Sequence, residues 1–402
     1  MVKHLHILIG AITLFSYALQ GQDFGYRTFT NTAKRLESSG PSDVKELFDS
    51  LSKKSSIPFI YKDSVLFLIQ SPAKTVEWMG DFNGWGFQKN FPNKGTLMNG
   101  TDIWILKASF PKDARLDYKI LIDGTNWILD PENKFQQWSG VGGGSPNSEL
   151  RMPDWKEDPI QIERKNNQKG TLISDVLLNS KVLGYQITYS VYVPYGFSNS
   201  EKLSSIYVTD GYEYLHPKLG NMSTVLDNLI EDKKIEPVIA IFIDHRAPID
   251  RSNNRRMQEL AMNAKYLDFF TQELLPQIET AYPVIRNAQH RAILGTSMGG
   301  LTATYFAFTR PDVFGMAGIQ SPAFYTRPQI YSLCSNPADP KMKISMTSGV
   351  INDTSAESRK MKDVLEANSC VYNYREVNEG HSWGNWRRLI DDILIDLFAQ
   401  TN

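Results

Sequence analysis

One short stretch constrains this chain more than any other. An apolar run, Ala292 to Leu294, leads into Gly295-Thr296-Ser297-Met298-Gly299, and a helix-like segment follows. A strand that turns at once into a helix needs a tight corner. Glycines at 295 and 299 keep side-chain bulk away from it, and Gly300 extends the clearance into the first helical turn. The residue at the apex is a serine. Its hydroxyl is a poor nucleophile at neutral pH, so a serine held on such a turn reads as one presented to a base. A five-residue pattern recurs by chance in unrelated chains, and the reading therefore rests on the strand before it, the helix after it and a histidine downstream.

The chain has six histidines. His4 and His6 lie in a leader-like segment, His216 and His290 precede the serine in loop-like settings, and His245 precedes it at the end of the apolar run Val238 to Ile243. The α/β-hydrolase order is serine, acid, histidine, which leaves His381 as the base. It stands in Glu379-Gly380-His381-Ser382-Trp383, directly after the strand-like Val371 to Val377. The acid should occupy a loop beyond a strand between the two, where it fixes the imidazole tautomer. Lys343 to Thr347 reads as that strand and Ser348 to Asp353 as its loop, so Asp353 is the candidate. Glu357 is the fallback, but it begins a helix-like stretch and reads equally as a solvated first-turn residue. Two backbone N–H groups are needed to hold an oxyanion: Met298, after the nucleophile, and Tyr212, in the loop that follows Ile206 to Val208.

Charge narrows the partners. Lys and Arg number 43 against 44 Asp and Glu, with no basic stripe, so nucleic acid is not an expected partner. Residues 1–22 carry Lys3 and an apolar stretch from Ile7 to Leu19, too short to span a bilayer. They read as a cleaved secretory signal, which predicts a secreted or periplasmic protein with no stable membrane insertion after cleavage. The two cysteines, Cys334 and Cys370, could pair but cannot build a disulfide scaffold. Histidines and carboxylates do not cluster at metal-ligand spacing, so neither a metal nor another cofactor is expected.

The chain divides near residue 155. Residues 23–56 are a polar lead-in with a short amphipathic helix around Val44 to Leu51. From 57 to 152 the pattern is short strands, Val65 to Ile69, Thr75 to Met79, Trp104 to Phe110 and Leu116 to Ile122, separated by Asn83-Gly84, Asn99-Gly100 and Asp123-Gly124 turns. This predicts an all-β, immunoglobulin-like sandwich. Residues 153–169 form a charged linker. From 170 to 402 strands and helices alternate, as in a mostly parallel sheet. Val238 to Ile243 suits a strand buried on both faces, and Tyr266 to Ile278 has helical periodicity.

Two resemblances follow. Gly80-Asp81-Phe82-Asn83-Gly84-Trp85, Asp117-Tyr118-Lys119, Trp127, Asp130-Pro131 and Asn147-Ser148 resemble the glycogen-binding-type sandwich found ahead of branching enzymes and many esterases. In such modules Trp85 and Trp127 would be either core or a sugar-stacking platform. Thr209-Asp210-Gly211, Phe242-Ile243-Asp244, Arg256-Met257-Gln258-Glu259-Leu260, Glu273-Leu274-Leu275-Pro276, Gly295 to Gly300 and Gly380-His381-Ser382-Trp383 resemble the esterase D family, which includes enterochelin, feruloyl and acetyl esterases. The resemblance implies Ser297 as nucleophile, His381 as base and Asp353 as acid, acting on an ester-bearing small molecule or a plant polysaccharide. Gly349 to Asp353 holds one residue more than the family pattern, which leaves Asn352 and Asp353 in competition; only Asp353 carries charge. Glu213, Arg256, Glu259 and Trp383 are candidate substrate contacts. Arg256 and Glu259, three apart, would alternatively pair with each other, and Trp383 would either stack on a phenolic acid or pack the histidine loop.

Overall fold

The computed structural model describes residues 41–88, 91–140, 145–197, 201–335 and 342–400. The predicted signal and the first part of the lead-in lie outside the described residues. The chain separates into two compact units: residues up to Gln137 with Pro146–Lys156, and Trp138–Ser145 with everything from Glu157 onward.

Among the described residues the first unit opens with the helix Ser42–Lys53. Its Val44, Phe48 and Leu51 recur on one face and are buried against Ile57, Phe59, Leu66, Leu68, Ile103 and Ile105. Among the described residues nine strands follow: β1 (Phe59–Tyr61), β2 (Ser64–Gln70), β3 (Val76–Gly80), β4 (Thr96–Leu97), β5 (Ile103–Ser109), β6 (Arg115–Ile122), β7 (Asn126–Ile128), β8 (Gln136–Trp138) and β9 (Pro146–Arg151). They build two antiparallel sheets, ordered β1-β2-β5-β4 and β3-β6-β9-β8, with β7 added to β6. Phe67 packs on Trp78, Phe82 and Tyr118 to fill the space between them. β9 was not expected from its sequence, Pro-Asn-Ser-Glu-Leu-Arg, because it is mostly polar. Its Asn147, Ser148 and Glu149 are buried, and Glu149 and Asn147 meet Arg115 and Asp117 of β6. Pairing thus removes the cost that a polar strand would otherwise carry into a core.

The second unit holds an eight-stranded sheet: β10 (Thr171–Asn179), β11 (Gln186–Val193), β12 (Ser204–Val208), β13 (Val238–Asp244), β14 (Arg291–Thr296), β15 (Met316–Gln320), β16 (Lys343–Gly349) and β17 (Val371–Val377). The order is β10-β11-β13-β12-β14-β15-β16-β17; β10, β11 and β13 pair antiparallel, and from β13 to β17 every pairing is parallel. β13 is buried along its whole length. Ile239, Ile241 and Ile243 enter the core on one face of the sheet, and Val238, Ala240 and Phe242 the core on the other, as the two-residue period of a strand requires. The expected helix over Tyr266 to Ile278 is present as Ala264–Phe269 and Leu275–Ala281, joined through a π-helical segment, Phe270–Leu274. That wider turn precedes Pro276, which has no N–H to continue an α-helical ladder.

The path of the chain decides where a site can form. From β12 the chain crosses to β13 on one side and later to β14 on the other, so the loops beyond β12 and β14 diverge and leave a crevice at the carboxyl edge of the sheet.

Candidate active site

Ser297 follows β14 in that crevice, with φ 57° and ψ −113°. Such a backbone is sparsely populated for a residue with a side chain and costs on the order of 1–3 kcal/mol. It is held by Ser297 N–H donating to Gln320 O at 2.9 Å and by Ala323 N–H donating to Ser297 O at 2.9 Å. Gly295 allows the strand and the helix Met298–Thr309 to meet. A Cβ there would stand 2.3 Å from the Gly299 carbonyl carbon and 2.4 Å from Thr209 Oγ1. A Cβ on Gly299 would also meet Thr209 Oγ1 at 2.4 Å, so the two glycines let the loop after β12 lie directly on the corner.

The structure brings the three predicted side chains together. His381 Nε2 lies 3.0 Å from Ser297 Oγ, and His381 Nδ1 lies 2.6 Å from Asp353 Oδ1. Between the competing neighbours, it is Asp353 that faces the imidazole, while Asn352 takes a left-handed turn at φ 49°. Glu357 sits in the first turn of the helix Ser355–Ala367. The Asp353 side chain is fully buried, whereas that of His381 is 33% exposed. Asp353 Oδ2 accepts from Ser321 Oγ at 2.6 Å, from Gly349 N–H at 2.6 Å and from Asn385 Nδ2 at 3.2 Å. One oxygen is therefore saturated by donors and the other is left for the histidine. The edge of Trp386 meets the His381 ring at 4.8 Å between centroids. The bonds of Ser321 and Asn385 to the acid link residues 32 apart in sequence and carry no local motif.

Met298 opens the helix Met298–Thr309, and Tyr212 is the second residue of the helix Gly211–Leu215. Amides in a first helical turn have no acceptor inside their own helix.

The four candidate substrate contacts are engaged within the protein, and the alternative pairing of Arg256 with Glu259 does not form. The Arg256 guanidinium forms two bonds to the Asp210 carboxylate, at 2.6 and 2.9 Å, and a third to Thr296 O at 3.2 Å. Glu259 is 1% exposed; it holds His245 Nδ1 at 2.5 Å and accepts the Tyr185 hydroxyl at 2.9 Å. The helix that would have paired them, Arg256–Glu259, is a single turn whose two ends reach opposite neighbours. Trp383 is 1% exposed, packs edge-on against Tyr214 and Trp386, and donates Nε1–H to Glu213 Oε2 at 2.9 Å. It braces the histidine loop and is not available to stack on an acyl group. His245, set aside in the sequence because it precedes the serine, proves to be buried beside the Asp210 loop.

Burial lowers the pKa of His216, helped by the charges of Lys218 and Arg246. Among the described residues no group of three or more His, Cys, Asp or Glu is arranged to hold a metal ion, and no helix is long and apolar enough to cross a membrane.

A parallel-rich sheet with a serine on a strained corner after β14 defines the second unit as an α/β-hydrolase. Residues 180–343 match the family described as "Putative esterase". That match covers less than half of the chain and makes its second unit similar to the esterases, which are carboxylic ester hydrolases. The chain is 26% identical over 227 residues to the uncharacterized protein YjcH of Bacillus subtilis, covering 54% of this chain and 92% of that one. It is also 26% identical over 256 residues to an endo-1,4-β-xylanase/feruloyl esterase of Xylanibacter ruminicola, covering 60% of this chain but 33% of the relative. To the iron(III) enterobactin esterase of Escherichia coli K12 it is 28% identical over 199 residues, 49% of this chain and 46% of the relative. In fold it is similar to the ferric enterobactin esterase of Salmonella typhimurium, with a TM-score of 0.68 and 20% identity over 83% of this chain and 93% of that chain.

Proposed function

We propose that the protein is an exported serine esterase that releases feruloyl or acetyl groups from plant cell-wall polysaccharide through an acyl-enzyme. Ser297 attacks the ester carbonyl while His381 Nε2 takes its proton. Met298 and Tyr212 N–H hold the oxyanion, and Asp353 keeps the imidazole in the required tautomer and stabilises its charged form. The alcohol leaves with the proton from His381, and water then repeats the sequence to free the acid. The observation that carries this reading is the chain of contacts from Ser297 Oγ through His381 to Asp353, 3.0 and 2.6 Å long. Ser297→Ala should abolish hydrolysis of a chromogenic short-chain ester in a protein that still folds, and full activity in that variant would refute the serine mechanism.

Support for a polysaccharide-linked ester comes from the similarity to the xylanase/feruloyl esterase. In the front unit Trp127 is 46% exposed and lies 6.5 Å from Trp85, ring to ring, which offers a surface on which a sugar would stack. A second reading, cleavage of a ferric catecholate siderophore in the periplasm, draws on the similarity to enterobactin esterases. Rates per active site on methyl ferulate, acetylated xylan and a catecholate trilactone decide between them. A preference for the trilactone by orders of magnitude would overturn the ranking. Binding of glycan without turnover of any ester would favour a carbohydrate-binding protein on an inactive scaffold.

A further inference from the structure

The second unit contains another histidine–carboxylate pair, and nothing in the serine mechanism uses it. His245 follows β13 and is 3% exposed. Its Nδ1 faces Glu259 Oε2 at 2.5 Å, and its Nε2 accepts the backbone N–H of Asp210 at 3.1 Å. An Nε2 that accepts carries no proton, so this contact defines the ring as neutral with its proton on Nδ1. Glu259 is fixed in turn by the Tyr185 hydroxyl and by Arg255 Nε at 3.4 Å.

Asp210 joins this pair to the site. It adopts a left-handed backbone, φ 55° and ψ 36°, unfavourable for a residue with a side chain. Each of its polar groups is occupied: N–H by His245, carboxylate by Arg256, and carbonyl by the N–H groups of Glu213 and Tyr214 at 2.9 and 3.1 Å. Gly211, the next residue, lies so close to β13 that a Cβ would stand 2.4 Å from the Phe242 carbonyl carbon. Tyr212, the proposed oxyanion donor, comes one residue later. A turn of the Asp210 peptide would therefore redirect the Tyr212 N–H.

We propose that His245 is a positioning residue for the oxyanion hole: as a neutral acceptor it clamps the Asp210 peptide and so aims the Tyr212 N–H at the reacting carbonyl. The inference rests on the serine-esterase reading. The charged groups around the ring are Glu259, the Asp210 carboxylate at 3.7 Å from Nε2, Arg255 and Arg256, with the Tyr266 ring packed beside it. Burial opposes a second proton, but Glu259 and Asp210 outweigh burial and Arg256, so the ring takes that proton more readily than a free imidazole. Protonation places N–H against N–H at Asp210 and turns Nε2 into a donor toward the Asp210 carboxylate. The clamp is then released on acidification.

Removing an oxyanion donor outright lowers kcat on the order of 10²–10³-fold, so misdirecting one should lower it about 10–100-fold. His245→Phe should show that loss on p-nitrophenyl acetate with KM changed less than about twofold. His245→Gln, whose amide oxygen can stand where Nε2 stood, should recover most of it. A loss that falls on KM, or one equal in both variants, would overturn the proposal. A direct reading that does not depend on the variants folding is ¹⁵N NMR of histidine-labelled wild-type protein. His245 should carry a proton on Nδ1 alone wherever the enzyme is fully active, and a doubly protonated ring at that pH would also overturn it. Hydrolysis that survives Ser297→Ala refutes the serine mechanism instead, and leaves the tautomer at His245 as a separate result.

Discussion

The two units bury carboxylates in opposite ways. In the front unit Arg115 lies between Asp117 and Glu149, Asp81 accepts the Asp117 N–H, and Asp130 accepts the Tyr118 hydroxyl. Each of these acids is closed in by neighbours of the same sandwich. In the second unit Asp353 and Glu259 each bond one nitrogen of an imidazole, and each imidazole presents its far nitrogen to something else, a serine hydroxyl in one case and a peptide N–H in the other. The difference teaches that burial of a charge is by itself a statement about folding. Chemistry requires a relay with one open end, and only the His381 relay, with that ring one-third exposed, has one.

The sharpest way to break this comparison is to neutralise the acid of the open relay. Asp353→Asn keeps the shape but allows the amide to face His381 Nδ1 as a donor, which favours the wrong tautomer. A fall in kcat of about 10⁴-fold is expected, with KM little changed. A loss below tenfold in steady-state assays would place Asp353 with the structural acids of the front unit.

The closed acids should instead report on stability. Burial, partly offset by the Tyr118 hydroxyl and the Glu132 N–H, raises Asp130 to about 6 from 3.8, and burial with the charge of Asp117 raises Asp81 to about 8. A raised acid binds its proton more tightly in the native state, so its contribution is complete below the unfolded value and is lost as pH rises through the folded one. For Asp130 the window runs from about pH 4 to 6 and is worth on the order of 3 kcal/mol. Denaturant unfolding across that window should show stability falling with pH, and Asp130→Asn should flatten the fall. An unchanged slope in the variant would mean that Asp130 is ionised in the native state throughout.

What could be read from the sequence follows the same division. The corner around Ser297, the strand β13 and the order of Ser297, Asp353 and His381 announce themselves locally, because a strand end, a glycine and a reactive side chain must be adjacent in the chain. β9 was illegible because its buried polar residues are matched only by Arg115 and Asp117 on another strand. Arg256 and Glu259 misled for a related reason. Their spacing suggests a mutual pair, but Asp210 and His245, 46 and 14 residues away from them respectively, compete and win. Trp383 looked available beside the histidine, and only the packing of Tyr214 and Trp386 shows that it is enclosed.

The smallest expected effect tests how the open relay is held. Ser321 has φ 39° and no exposed surface, and its hydroxyl donates to the Asp353 oxygen that does not touch His381. Gly349 N–H and Asn385 Nδ2 reach the same oxygen, so removing one donor leaves two. A hydrogen bond to a charged group is worth about 1.5–3 kcal/mol, and the surviving donors should absorb part of that. Ser321→Ala should therefore lower kcat about tenfold without altering KM. Asn385→Ala alone should act similarly, and the double variant should lose more than the product of the two, because Asp353 would then be free to rotate away from the imidazole. If the two losses simply multiply, the two side-chain donors act independently of one another and Gly349 N–H suffices to keep the carboxylate from rotating away.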